Sequence, residues 1–318
     1  MTRRDELTAI LAGEPTQGLS SIFWKHFAPA ERAGDEAYAA HVRWIAATDP
    51  VLVKVMNEAL YPHGQEFADS RDWASVKAYP TDHLAMRAQR DLVSRMVDSY
   101  SPTHHVLVTM HGVTASAFHA RGGSDDYDQK RTQLTAALRE DPALVEEKFA
   151  LIGESLVAQA KEFMRAGADG VFLAALGGEA GNFTDEEFDR VVRPHDIAIL
   201  ESVGEAGGLR YLHICKEDVA LDRYAGYPAD IVQVGEHVNG LDLGSLRALF
   251  PQAVIVGGVD NADPYFVDGG SADSLAREVR QAVADHTRLI VGADCSLPDA
   301  TDPDLVGALS RVLRSLDT

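Results

Sequence analysis

Two cysteines and a histidine are the residues of this 318-residue chain whose types and spacing are best suited to chemistry. His213 and Cys215 close one apolar run, Leu209-Arg210-Tyr211-Leu212-His213-Ile214-Cys215. Cys295 closes another, Arg288-Leu289-Ile290-Val291-Gly292-Ala293-Asp294-Cys295. In a β-strand side chains alternate faces, so His213 and Cys215 point the same way, about 6.6 Å apart along the chain. Two thiolates and an imidazole at the ends of two strands suit zinc, which binds Cys and His tetrahedrally and keeps one position open where it is catalytic. Free cysteines are also common as inert core residues. The placement of both at strand ends, one sharing a face with a histidine, favours the metal. A thiol titrates near pH 8.5 and is mostly unreactive at neutral pH, whereas coordination removes its proton and leaves a nucleophile. Two cysteine ligands make the metal electron-rich, which suits activation of a thiol for alkyl transfer better than activation of water for hydrolysis.

Strands must carry these ligands to one place. Apolar, β-branched runs at 19–27, 51–57, 105–111, 170–176, 209–215, 230–236, 253–259 and 288–295 alternate with helical patterns, the signature of βα units and a parallel sheet. Helices are expected at 35–47, 83–100, 142–166, 271–286 and 303–316. Asp141 caps the third of these ahead of Pro142, and Gly167 stops it. Thr184-Asp185-Glu186-Glu187 is a capping box that opens a further helix. Eight strands, each followed by a helix, predict an α/β fold: a single (β/α)8 TIM barrel over residues 1–318. The residues before Leu19 are expected to form a short helical extension across its bottom. Two connections are long, 58–82 and 112–141. The second, rich in Gly, Ser, Asp and Tyr, is read as either a lid or a solvated loop.

Such a barrel builds its active site at the C-terminal ends of the strands. The residues there are polar: Trp24, His26, Asn57, His111, Glu179, His213, Cys215, Glu236, His237, Asn239, Asp260, Asn261, Asp294 and Cys295. Their convergence predicts a wet, metal-capable pocket. Glu179 and then Glu236 are the candidates for a fourth zinc ligand, since each follows a neighbouring strand.

Composition narrows the partners. With 49 acidic and 29 basic residues the formal charge is −20, a surface that repels a phosphate backbone, so nucleic acid is excluded. No apolar stretch is long enough to span a membrane, and the charged N-terminus is unlike a signal segment, so a cytoplasmic location is expected. Two cysteines make no disulfide framework and stay available as thiolates in a reducing compartment. There is no G-x-G-x-x-G fingerprint, P-loop, G-x-S-x-G elbow or H-E-x-x-H motif.

Several segments together resemble the uroporphyrinogen decarboxylase superfamily. They are His213-x-Cys215, Gly257-Gly258-Val259-Asp260-Asn261, and Gly292-Ala293-Asp294-Cys295-Ser296-Leu297-Pro298 with Pro303 nearby. Upstream, Gly167-Ala168-Asp169-Gly170, Phe183-Thr184-Asp185-Glu186-Glu187-Phe188 and Arg193-Pro194 also match. The chain is most similar to the branch of zinc-dependent methylcobalamin:thiol methyltransferases of the coenzyme M type, whose metal motif is His-x-Cys followed at long distance by a single Cys. The resemblance implies a (β/α)8 barrel and zinc at His213, Cys215 and Cys295. It also shows departures. The Arg-Gln-Ala-Gly-Arg segment of the decarboxylases is replaced by Trp24-Lys25-His26-Phe27, their catalytic aspartate by Asn57, and the histidine before their last Leu-Pro by Asp294. Tetrapyrrole carboxylates would lack their arginines, so porphyrin decarboxylation is disfavoured.

The leading expectation is zinc-dependent methyl or alkyl transfer to a small thiol, with a corrinoid such as cobalamin, or a related alkyl carrier, as donor. The chain carries no Asp-x-His-x-x-Gly signature for holding cobalt, so a corrinoid is expected to arrive free or on a separate protein. A decarboxylase or carbon–sulfur lyase acting on a small acid is the alternative, and a non-catalytic metal-binding barrel the third.

Overall fold

Eight parallel strands form one sheet: β1 Ser21–Ile22, β2 Val53–Val55, β3 Val106–His111, β4 Gly170–Ala175, β5 Leu209–Ile214, β6 Ile231–Val234, β7 Val254–Val259 and β8 Leu289–Ala293. The structure, a computed structural model, describes residues 1–63, 66–122, 126–283 and 287–316. The strand order β1-β8-β7-β6-β5-β4-β3-β2 curls the sheet round. Val51 N donates to Ser21 O (2.9 Å), bringing the approach to β2 onto β1. The result is the expected (β/α)8 barrel. Its strands are near-continuous Val, Ile and Leu runs because both faces are covered, one by the barrel interior and one by helices; every residue of β7 is buried.

Thirteen helices are described, from α1 (Arg3–Ala12), α2 (Gly34–Thr48) and α3 (Leu84–Tyr100) to α13 (Pro303–Ser315). Helix α1 is the bottom plug read from the sequence. It buries Leu7 and Ile10, and Arg4 pairs at 2.7 Å with Asp169, just before β4. The Asp141 side chain caps α6 (Pro142–Arg165) by accepting from Leu144 N, and the Thr184 capping box opens α7 (Asp185–Val191). The helix expected at 271–286 is α12 (Ala272–Ala282); residues 284–286 lie outside the described ones.

Two expectations are corrected. The connection 112–141, read as a lid or a solvated loop, is mostly helix: α4 (Val113–Arg121) and α5 (Tyr127–Glu140), with 123–125 outside the described residues. All nine residues of α4 are buried, so it has no apolar stripe against a polar one, and small residues such as Ala115, Ser116, Ala117 and Ala120 let it pack on every side. A buried helix cannot swing as a lid. The alternation of strand and helix also lapses once. Between β5 and β6 there is only a 3-10 turn, Leu221–Tyr224, since Gly226 and Pro228 leave too little chain for a helix. Helix α8 (Arg193–Glu205) and α10 (Leu243–Leu249) therefore flank a cavity of about 750 Å³ lined by Arg193, Leu221 and Leu249 among others. Among the described residues no helix is long and apolar enough to cross a membrane.

Asp196 on α8 holds α4 to the barrel. Its Oδ1 accepts from Val113 N at 2.9 Å, while Oδ2 is buried without a donor. Burial pushes its carboxyl up to about 7. A folded pKa above the unfolded value of about 3.9 means a contribution fully present below pH 4 and lost as pH rises through 7. Asp196→Asn keeps the acceptor and cannot ionise. Its stability relative to the parent is expected to grow by on the order of 3 kcal/mol between pH 4 and 7, read from urea midpoints. A difference that stays flat over that range would show Asp196 to be charged in the fold.

Candidate metal centre at the barrel mouth

His213 stands one residue above Leu212 at the top of β5, and strand register determines its neighbours. It pairs with Gln233 of β6, so both side chains share the inward face, as does Tyr211 two residues below. Gln233 is fully buried. Its Oε1 accepts from Tyr211 OH (2.9 Å) and faces His213 Nδ1 (3.1 Å), and its Nε2 donates to Ala293 O. The amide orientation is thereby set from both ends, which makes Nδ1 of His213 the protonated nitrogen and leaves the Nε2 lone pair free for a metal. Phe172 stacks on the ring (5.4 Å, 26°), and Trp24 stands edge-on to it (5.8 Å).

Cys215 and Cys295 meet His213 there. The two sulfurs are 3.9 Å apart and Cys295 Sγ lies 3.5 Å from His213 Nε2; the three donors lie within 4.8 Å of one another. Tetrahedral zinc with bonds of about 2.3 Å to sulfur and 2.05 Å to nitrogen requires separations of about 3.8 Å and 3.6 Å. The donor set fits zinc. The sulfur–sulfur hydrogen bond, with burial, pushes the Cys215 thiol up, while the same bond draws Cys295 down.

Gln233→Leu would strip the acceptor from both Tyr211 and His213. Zinc affinity, measured by chelator competition, is expected to fall about 10- to 100-fold. Affinity within twofold of the parent would show that the amide does not orient the ligand.

A second cluster lies alongside. Asp294, fully buried next to Cys295, accepts from His237 N (3.0 Å) and Val238 N (3.1 Å) through Oδ2 and faces His237 Nδ1 at 2.8 Å through Oδ1. That bond raises the His237 imidazole's pKa. Glu236, whose Oε1 accepts from Gly258 N at 2.8 Å, is pushed up to about 7 by burial. The ligand atoms of Glu236, His237 and Asp294 also lie within 4.8 Å of one another.

The other residues singled out from the sequence are spread around the mouth. Glu179 is buried and paired with Arg131 at 2.8 Å while its Oε2 accepts from Gly177 N. It is outside the group of three close donors, although its charge reaches Cys215. Asn239 pins the chain after β5 to that after β6 by accepting from Val219 N and donating to Lys216 O. His26 faces solvent and pairs with Glu58 at 2.9 Å. Asn57 and Asp260 cap local turns by accepting from Ala59 N and Ala262 N, and Asn261 reaches Ser296 O. His111, with its pKa lowered to about 4 by burial, meets the ring of His119 edge-on.

Three residues escaped the sequence reading: Gln233, Arg131 and Lys54. Lys54 points from β2 into the barrel, its ammonium 4.2 Å from the Phe172 ring centre and 4.8 Å from that of Trp24. Burial lowers it to about 7, against the charges of Cys295, Glu58 and Cys215. By surface area it is only half-buried; the ring distances place the ammonium itself among protein groups. A lone cation inside the apolar run 51–57 was the available signal. The 750 Å³ cavity on the outer face holds no cysteine or histidine, so the donor set, rather than the volume, places the candidate site.

A model of the uroporphyrinogen decarboxylase (URO-D) family matches residues 58–316. No curated protein sequence matches significantly. The fold is similar to a methyltransferase from Methanosarcina mazei (TM-score 0.74, 14% identity, 98% of each chain covered). It is also similar to a B12-independent methionine synthase from Shewanella sp. W3-18-1 in complex with selenomethionine (TM-score 0.58, 13% identity, 94% of this chain and 98% of that one). A GH113 β-1,4-mannanase matches at TM-score 0.50 and 10% identity, over 94% of this chain and 98% of that one. At such identities the likeness is one of fold.

Proposed function

Because the chain belongs to the uroporphyrinogen decarboxylase family, and its barrel mouth brings two thiols and an imidazole together, we propose that it is a zinc-dependent enzyme transferring a methyl or other alkyl group to a small thiol. A corrinoid or related alkyl carrier is the donor, arriving free or on a separate protein. The single observation that carries the reading is the donor geometry: 3.9 Å between Cys215 and Cys295 and 3.5 Å from Cys295 to His213, as tetrahedral zinc needs. Zinc held there would supply the charge that keeps a thiol deprotonated at neutral pH. The chain's own residues do the rest. His213, oriented by Gln233, and the two cysteines would hold the metal; Trp24 and Phe172 wall the site with apolar rings that exclude water; the thiol would bind beside these three residues. Glu179 is the candidate fourth ligand at rest, on leaving Arg131. Fold likeness to a methyltransferase and a methionine synthase is in keeping with the reading.

A specific observation favours a second reading. Glu236, kept near neutral by burial, and the Asp294-oriented His237 form a proton-handling pair, as a decarboxylase or carbon–sulfur lyase acting on a small acid requires. Mixing the purified chain with methylcobalamin and a panel of small thiols separates the two. Demethylation of the cobalamin with formation of the thioether, dependent on the thiol and on Cys215, is the expected result. No turnover with any thiol, with free cofactor or with corrinoid proteins, would transfer the assignment to the second reading.

A further inference from the structure

Lys54 occupies a place where an uncharged side chain would pack as well. Its strand partner is Leu107, which in turn pairs with Gly170, so alternation puts Lys54 on the inward face with Phe172, Tyr211 and His213. The long side chain carries Nζ up to the Trp24 and Phe172 rings, the same two rings that flank His213. Among the described residues its one hydrogen bond is to Met56 Sδ (3.0 Å), and no carboxylate lies within ion-pair distance. Glu58, the nearest in charge, is engaged by His26 at 2.9 Å and Arg32 at 4.0 Å. Methionine would fill the same space with favourable sulfur–ring contacts. A half-buried cation without a counter-ion is costly unless something anionic comes to it.

The metal site supplies that anion. Zinc with two thiolates and a neutral imidazole has no net charge, and a third thiolate makes it negative. We propose that Lys54 is a positioning residue for the metal centre, an ammonium that offsets the negative charge gained when a thiol binds there as the thiolate. The inference rests on the thiol-activating reading of the centre and adds to it the group that makes a third thiolate tolerable in a low-dielectric barrel. Were Lys54 held there by cation–ring attraction alone, removal of its charge would leave thiol affinity unaffected, which is the opposite of what the proposal expects.

The test uses the full chain loaded with Co2+ in place of zinc, with Lys54→Met and, as a second neutral variant, Lys54→Gln. The probe is 2-mercaptoethanol. Because it carries no charged tail, any effect arises from the thiolate itself. Sulfur-to-cobalt absorption is followed during the titration, metal affinity is measured by chelator competition, and the melting temperature is taken without metal. The expected result is an affinity for 2-mercaptoethanol lowered about tenfold or more, a metal affinity without thiol close to that of the parent, and a melting temperature equal to or above that of the parent. Thiol affinity within about twofold of the parent in either variant would overturn the proposal, as would a loss that follows a fall in melting temperature. Neither readout requires methyl transfer, so failure of the alkyl-transfer assay and failure of this proposal are separate results.

Discussion

Cys215→Ser and Cys295→Ser should each empty the metal centre, taking zinc from about one per chain to close to none. Each substitution removes one of three donors, and a hydroxyl is a far poorer zinc ligand than a thiolate. The nearby carboxylates are engaged, and one that moved in would fill the fourth position without replacing the lost thiolate. Glu179 is held by Arg131 and by Gly177 N, and the Glu236–His237–Asp294 group is internally bonded. Structural zinc sites draw on the order of 10 kcal/mol from their full donor set, so losing one thiolate should cost several orders of magnitude in affinity. Elemental analysis after dialysis reads this directly. Zinc retained at the parent level in both variants would place the metal elsewhere.

Gly307→Ala sets two effects of opposite sign against each other. Gly307 lies in the middle of α13, where alanine favours the helix by about 1 kcal/mol. Here the added Cβ would fall within contact radius of the Ala47 carbonyl oxygen on α2. The obstacle is backbone on a second helix, with no flexible side chain to yield, and overpacking of that kind costs about 1–3 kcal/mol or more. Packing should win, with a net loss of about 2 kcal/mol and a lower urea midpoint. A midpoint raised by the substitution would show that the two helices can part without cost. Since α2 and α13 flank the outside of β1, the result bears on how firmly that strand, and Trp24 beyond it, is held.

The barrel was legible because each strand announces itself as an apolar run covered on both faces, so runs such as 253–259 and 170–176 coincide almost to the residue with β7 and β4. Strand ends were less so. The run 19–27 shrinks to Ser21–Ile22, with Lys25 joined only by a bridge to Leu297, because hydrophobicity continues where the ladder stops. The nearness of His213 to Cys215 at the mouth was readable since period-two alternation is a local rule. The support of His213 was not. That Gln233 would orient His213 depends on the β5–β6 register, which no local pattern encodes. Lys54 lies in a run buried on both faces, where nothing local shows which side is the barrel interior. Helix α4 hid for the converse reason: buried all round, it carries no 3.6-residue stripe, and its small residues resemble loop composition. The break after β5 followed from a short Gly- and Pro-containing stretch whose meaning depended on how much chain a helix needs.

Zinc-edge X-ray absorption on the purified chain, with and without a small thiol, reads whether His213, Cys215 and Cys295 hold one zinc which takes a thiol as its next ligand. Two sulfurs and one imidazole nitrogen are expected about the metal at rest, at about 2.3 Å and 2.05 Å, beside a light-atom fourth ligand that a third sulfur replaces when thiol is added. A zinc environment without sulfur, or one whose sulfur count does not change with thiol, would contradict that assignment.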